Sequence, residues 1–170
     1  MVTLVTGGSA SGKSAYAEDL VLESPARPRV YAAAMEPFGE EARRRIERHR
    51  QLRAGKGFET WELPRAADYG TIPAGCAALL ECVTTLTANE CFGPLGFDGA
   101  EDRIVAGVAA FCQRAADAVL VSGDLFTDGM TYPAETERYL QVLAGVNRRL
   151  AALADRVVEV CCGIPIVIKE

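Results

Sequence analysis

Directly after the apolar run Val2–Thr6 the chain reads Gly7-Gly8-Ser9-Ala10-Ser11-Gly12-Lys13-Ser14, an uninterrupted G-x-x-x-x-G-K-S pattern. This pattern constrains the fold more than any other stretch. It needs a buried strand in front, a helix behind, and glycines between them that let successive N–H groups converge on one point. Val2–Thr6 supplies the strand and Lys13–Glu23 has the composition of the helix. Such a loop is a phosphate cradle, because the positive end of the helix dipole faces the same point as the N–H groups. The Lys13 ammonium is placed to reach β- and γ-phosphates, and the Ser14 hydroxyl to ligate Mg2+. Gly7, Gly8, Ser9, Ala10, Ser11, Gly12, Lys13 and Ser14 are therefore candidate nucleotide-binding residues, and Lys13 is a catalytic candidate as well.

Beyond the loop, apolar runs alternate with helical patterns. Strands are predicted at Val2–Thr6, Arg29–Ala34, Cys76–Cys82, Ala118–Ser122, Arg156–Cys161 and Ile164–Lys169. Helices are predicted at Lys13–Glu23, Glu40–Arg53, Thr84–Cys91, Ala100–Ala116 and Ala134–Ala154. Alternation of this kind gives an α/β fold with a mostly parallel sheet flanked by helices. Gly163 and Pro165 break the last apolar run, so Arg156–Lys169 is expected to be an antiparallel hairpin at one edge. No linker, repeat or low-complexity tract divides the 170 residues, which read as a single domain over 1–170. A chain of this length buries roughly 70% of its unfolded surface, enough for a proper core.

The formal charge of −5 argues against a general nucleic-acid binder, whose affinity comes from neutralising phosphates with a basic surface. Positive charge is local: Arg43, Arg44, Arg45, Arg48, Arg50 and Arg53 crowd one segment, with no aromatic residue interleaved to stack on bases. The apolar start runs straight into the phosphate loop, unlike a signal peptide, and no apolar stretch approaches the ~20 residues that span a bilayer. The six cysteines show no paired C-x-x-C spacing. They are expected to be reduced thiols in a cytoplasmic protein with no membrane span.

In open α/β sheets, ligands sit beyond the carboxyl ends of the strands. The predicted strand ending Ala77-Ala-Leu-Leu-Glu81 places a carboxylate there, and in phosphate-loop proteins such an acid holds Mg2+ or orients the attacking group. Ser14 and Glu81 are thus the candidate metal-holding pair. Asp124 and Asp128, just past another strand, are weaker candidates. His49, the single histidine, lies among the arginines, and Ala42, Ile46 and His49 share one helical stripe. Two interpretations stand side by side. One is a partly buried imidazole on a core-facing helix. The other is a nucleophile, kept neutral by nearby guanidinium charges and attacking the α-phosphorus of a triphosphate.

Several segments together resemble the bifunctional adenosylcobinamide kinase / adenosylcobinamide-phosphate guanylyltransferase family of cobalamin assembly. They are the V-T-G-G-S-A-S-G-K-S start, R-I-E-R-H-R-Q-L-R (45–53), F-E-T-W-E-L-P (58–64), L-L-E-C-V-T-T-L-T-A-N (79–89), and the run from 147 to 169. The resemblance spans nearly the whole chain in order. It implies a RecA-like phosphate-loop NTPase fold and a homotrimer. It also implies phosphorylation of adenosylcobinamide, then transfer of GMP from GTP onto that phosphate, with ATP or GTP as phosphate donor. The guanylylated histidine falls on His49. Nucleotide contacts fall on the phosphate loop, on Ala33, Ala34 and Met35, on Arg50, Gln51, Leu52 and Arg53, and on Glu62 and Glu81. The corrinoid surface is not evident in the sequence, although Thr84, Thr85 and Asn89 lie suitably after the Glu81 strand. Two departures stand out: Ala10 where the family often has Arg, and Ser122–Gly129 in place of an N-E-V-G-type segment.

Two other functions compete with this one. A small-molecule kinase would use the loop but not His49. A nucleotide-binding regulator would bind GTP without turning it over.

Overall fold

The computed structural model describes residues 1–35, 40, 44, 47, 51, 55–125 and 129–170. In chain order the elements are β1 (Val2–Thr6), α1 (Lys13–Glu23), β2 (Arg29–Ala33), β3 (Phe58–Glu62), a 3-10 helix (Ala66–Thr71), β4 (Ala77–Glu81), α2 (Val83–Phe92), α3 (Ala100–Arg114), β5 (Asp117–Val121), α4 (Ala134–Leu153), β6 (Arg156–Cys161) and β7 (Ile164–Lys169). The seven strands form one sheet in the order β3-β2-β4-β5-β1-β6-β7. Every neighbouring pair is parallel except the β6–β7 hairpin at one edge. The fold is the expected α/β sheet with an antiparallel edge.

The central strands are apolar throughout because helices cover both faces of a parallel sheet. Ala77, Ala78, Leu79 and Leu80 of β4 are all fully buried. On one face α1 sets Ala17 and Val21 against Val5, Leu79, Val119 and Val158. On the other, α2, α3 and α4 bring Leu86, Ile104, Phe111, Leu143 and Leu150 onto Leu4, Val30, Ala78 and Leu80. In α3, Ile104, Val108 and Phe111 recur at i, i+4 and i+7, so one stripe faces the sheet. Side chains of this size each contribute about 1.5–3 kcal/mol when fully buried. The Phe111 ring lies 5.8 Å from Tyr69 of the 3-10 helix. Gly107, one turn earlier, leaves room for the Ala66 carbonyl, which would lie 2.2 Å from any added Cβ.

The structure adds two elements to those expected from sequence and trims several ends. β3 and the 3-10 helix were not anticipated. β4 stops before Cys82, which instead caps α2 by accepting the Thr85 N–H at 3.4 Å. α3 ends at Arg114 because Ala115 turns extended (φ −77°, ψ 143°). Within the expected helix Glu40–Arg53, the described residues Glu40, Arg44, Glu47 and Gln51 are helical and exposed. Gln51 donates to Glu47 Oε1 at 3.1 Å, one turn back. His49, Arg50, Leu52, Arg53 and Asp128 lie outside the described residues.

Candidate active site

The loop between β1 and α1 has the backbone shape its glycines allow. Gly7 has φ +152° and Gly12 φ +93°. A Cβ on Gly7 would lie 2.5 Å from the Val160 carbonyl oxygen, so the loop passes β6 at a distance only glycine permits. Ala10 itself sits at φ +56°. α1 then starts without any side-chain cap and without an acid in its first turn, so its first N–H groups remain for a ligand. These residues line a cavity of about 280 Å³ formed by Ala10 to Ala15. The Lys13 ammonium folds back over the loop and donates to the Gly8 carbonyl at 2.9 Å. Ser11 Oγ is buried in the loop with no hydrogen-bond partner among the described residues.

The predicted acids meet the loop at the carboxyl end of the sheet. The Ser14 hydroxyl donates to Glu81 Oε1 at 2.7 Å. The other carboxylate oxygen, Oε2, accepts from the Tyr31 phenol. Strand register puts Glu62 opposite Ala33 and Ala33 opposite Glu81, so three predicted contact residues form one row across β3, β2 and β4. The next residue, Ala34, donates its N–H to the Glu81 carbonyl at 3.1 Å. Its own carbonyl accepts from Asn89 Nδ2 at 2.7 Å, and the same amide reaches the Pro64 carbonyl at 3.0 Å. Met35 follows, half-buried. Asp124 touches the loop through its backbone, donating N–H to the Gly7 carbonyl at 3.1 Å.

Thr84, Thr85 and Asn89, which follow the Glu81 strand, all make contacts within the protein. Besides the two bonds of Asn89, Thr84 Oγ1 accepts from the Gly123 N–H at 2.9 Å, and Thr85 Oγ1 lies 3.3 Å from Cys82 Sγ. The Thr84 carbonyl accepts from the Tyr139 hydroxyl at 3.1 Å, and burial pushes that phenol's pKa up to about 12. These side chains shape the end of β4 and the start of α2. Tyr31 is the site residue that sequence reasoning missed. It looks like an ordinary member of an apolar strand, and its signal exists only once β2 and β4 are placed side by side.

Among the described residues, no group of three or more His, Cys, Asp or Glu could hold a metal ion. The chemistry of the Ser14–Glu81 pair nevertheless fits Mg2+, which typically takes one or two carboxylates, keeps several waters and is completed by substrate phosphates.

Sheet, bare-ended helix, glycine loop and acid-tipped strand define a phosphate-loop nucleotide-binding protein of the RecA-like α/β class. The backbone is similar to an ATPase of a bacterial type III secretion system, with a TM-score of 0.55 at 12% identity over 93% of this chain. The chain spans 50% of that ATPase's length. The KaiC-like protein PH0186 of Pyrococcus horikoshii OT3 gives a TM-score of 0.50 at 10% identity, over 93% of this chain and 71% of that one. At such identities the likeness shows fold alone. Sequence shows the family: a profile for cobinamide kinase / cobinamide phosphate guanyltransferase matches residues 3–168, and the chain belongs to that family. It is 34% identical to the bifunctional adenosylcobalamin biosynthesis protein CobU of Escherichia coli K12, over 99% of this chain and 100% of the relative. The corresponding CobU of Salmonella typhimurium is 35% identical, again over 99% and 100%. A Pseudomonas aeruginosa relative, the bifunctional adenosylcobalamin biosynthesis protein CobP, is 28% identical over 99% of this chain and 98% of its own length.

Proposed function

We propose that this chain phosphorylates adenosylcobinamide and then transfers GMP from GTP to the resulting phosphate, giving adenosylcobinamide-GDP. The observation that carries the proposal is the Ser14–Glu81 contact at the mouth of the loop, in a chain matched almost end to end by that family. In the kinase half, the loop N–H groups and Lys13 hold the triphosphate of ATP or GTP. A corrinoid hydroxyl oxygen then bonds to the γ-phosphorus while the bond from that phosphorus to the β–γ bridging oxygen breaks, releasing the nucleoside diphosphate and the hydroxyl proton to solvent. In the transferase half, an imidazole nitrogen of His49 bonds to the α-phosphorus of GTP, and pyrophosphate leaves. An oxygen of the corrinoid phosphate next attacks the same phosphorus, the P–N bond breaks, and His49 is regenerated. By the family resemblance, Arg50, Gln51, Leu52 and Arg53 contact the nucleotide, as do Ala33, Ala34, Met35 and Glu62.

Ser14 Oγ and Glu81 would hold Mg2+, which, when bound, offsets the charge of the phosphate oxygens. The Ser14 hydroxyl suits this role because it donates its proton to Glu81 and keeps its lone pairs for the ion. Residues 1–170 work as one nucleotide-binding domain of a cytoplasmic homo-oligomer, a trimer by family resemblance. An exposed apolar edge strand supports the oligomer: in β7, Ile164, Ile166 and Ile168 are 64%, 46% and 61% exposed. Among the described residues no helix is long and apolar enough to cross a membrane.

The test is incubation with GTP radiolabelled at the α-phosphate, followed by recovery of an acid-labile protein adduct. Label on the wild-type protein that is absent from His49→Ala is the expected result. Corrinoid phosphorylation without any adduct would identify a kinase that does not use the histidine. Tight GTP binding with no product from a supplied corrinoid would identify a regulator.

A further inference from the structure

Tyr31 lies on β2 opposite Leu79 of β4, two residues before the Ala33–Glu81 pair and therefore on the same face of the sheet. Its side chain points to the α1 face, is 3% exposed, and packs edge-on against Phe58 with ring centroids 6.1 Å apart. Its buried neighbours in that cluster are Val5, Ala17, Val21, Ala77, Leu79, Val119, Val121, Val158 and Val160. Among these described residues Tyr31 alone carries a polar side-chain atom. A phenylalanine would fill the same space, and an unpaired hydroxyl at such a depth is costly. The hydroxyl is instead paired with Glu81 Oε2, the carboxylate oxygen not used by Ser14.

A glutamate carboxylate turns easily about its last torsion, whose energy profile is broad. A single donor at Oε1 leaves that rotation open, whereas donors at both oxygens from two different elements close it. α1 supplies one donor through Ser14 and β2 the other through Tyr31. We propose that Tyr31 is a positioning residue: its phenol anchors Glu81 Oε2 so that Oε1 stays turned toward Ser14 and the nucleotide-bound magnesium. This rests on the assignment of Ser14 and Glu81 as the magnesium-holding pair.

The test is equilibrium binding of α,β-methylene-GTP, which cannot lose its nucleotidyl group, by titration calorimetry with and without Mg2+. Wild type, Tyr31→Phe and Glu81→Gln are compared, with melting temperatures measured alongside. Tyr31→Phe keeps the ring that packs on Phe58, so the fold is retained. The expected result is that the tightening of nucleotide binding by Mg2+ shrinks by roughly tenfold in Tyr31→Phe, the scale of a charge-assisted hydrogen bond. Magnesium-free affinity stays near wild type, and the melting temperature falls by only the few degrees that loss of one hydrogen bond costs. Equal losses with and without Mg2+ would mark Tyr31 as a packing residue and overturn the proposal. Full magnesium enhancement in Tyr31→Phe, with the enhancement lost in Glu81→Gln, would overturn it while leaving the Glu81 assignment intact. Enhancement unchanged in both variants would overturn the Glu81 assignment, and the role of Tyr31 with it.

Discussion

The Gly163 N–H donates to the Ser11 carbonyl at 2.8 Å, so the turn between the last two strands is latched onto the phosphate loop. Cys162 and Gly163, at φ +51° and +80°, form the two-residue turn, and both have the positive φ that favoured hairpin turns require. The loop is thus gripped from two sides, by this turn and by the Val160 carbonyl beneath Gly7.

That grip makes Gly7 intolerant of any side chain. Gly7→Ala puts a Cβ 2.5 Å from Val160 O at a φ of +152°, and the loop must shift to relieve it. Strain of this kind costs on the order of 1–3 kcal/mol, so nucleotide affinity should fall by about tenfold or more. Titration of GTP by calorimetry checks it. Gly70→Ala, in the 3-10 helix and outside the loop, meets only the Ala110 Cβ at an ordinary 3.6 Å and serves as the control.

Gly107→Ala sets two effects of opposite sign against each other. Helix propensity favours alanine by about 1 kcal/mol. The added Cβ, however, would sit 2.2 Å from the Ala66 carbonyl oxygen, which belongs to backbone and cannot swing aside. Overpacking costs about 1–3 kcal/mol and should win. The variant should melt lower by about 2–4 °C for each net kcal/mol lost, readable by circular dichroism.

Burial pushes the Cys112 thiol pKa from 9.0 up to about 12, with the nearby Asp155 charge adding to the rise. The folded state therefore keeps its proton where the unfolded state has released it. Stability from this group is complete below the unfolded value of 9.0 and is lost as pH rises through the folded value of about 12. Melting temperature should decline across that window, and Cys112→Ala should decline less steeply. A pH series of thermal melts of both proteins is the measurement.

If a second copy covers β7, replacing Ile166 and Ile168 by lysine should dissolve the contact. Charged side chains on an edge strand oppose strand-to-strand association. Light scattering after size exclusion should show the mass falling toward that of one chain. An unchanged assembly would place the interface elsewhere.

Where the sequence was legible, physical pattern and structure coincide. Val2–Thr6, Lys13–Glu23, Arg156–Cys161 and Ile164–Lys169 keep their predicted bounds. The loop dictates what precedes and follows it, and Gly163 marks a turn. β3 was missed because Phe58, Glu59, Thr60, Trp61 and Glu62 are all exposed or half-buried at a sheet edge, so no apolar run announces them. The 3-10 helix has too few residues for any periodicity to show. In the site, Ser14 and Glu81 were paired from chemistry alone, and the structure places them in contact. Tyr31 escaped notice because strand register, which local sequence does not state, brings its hydroxyl to a carboxylate fifty residues away.

The order of strands has a bearing on biogenesis. β1 is made first yet lies between β5 and β6, whose residues leave the ribosome more than a hundred positions later. Until those strands emerge, the nascent chain carries an unpaired, sticky β-segment and a glycine loop with nothing to hold its shape. The cradle therefore gains its last supports, the Gly163 N–H on Ser11 and the Val160 carbonyl beneath Gly7, only when the final hairpin has been synthesised.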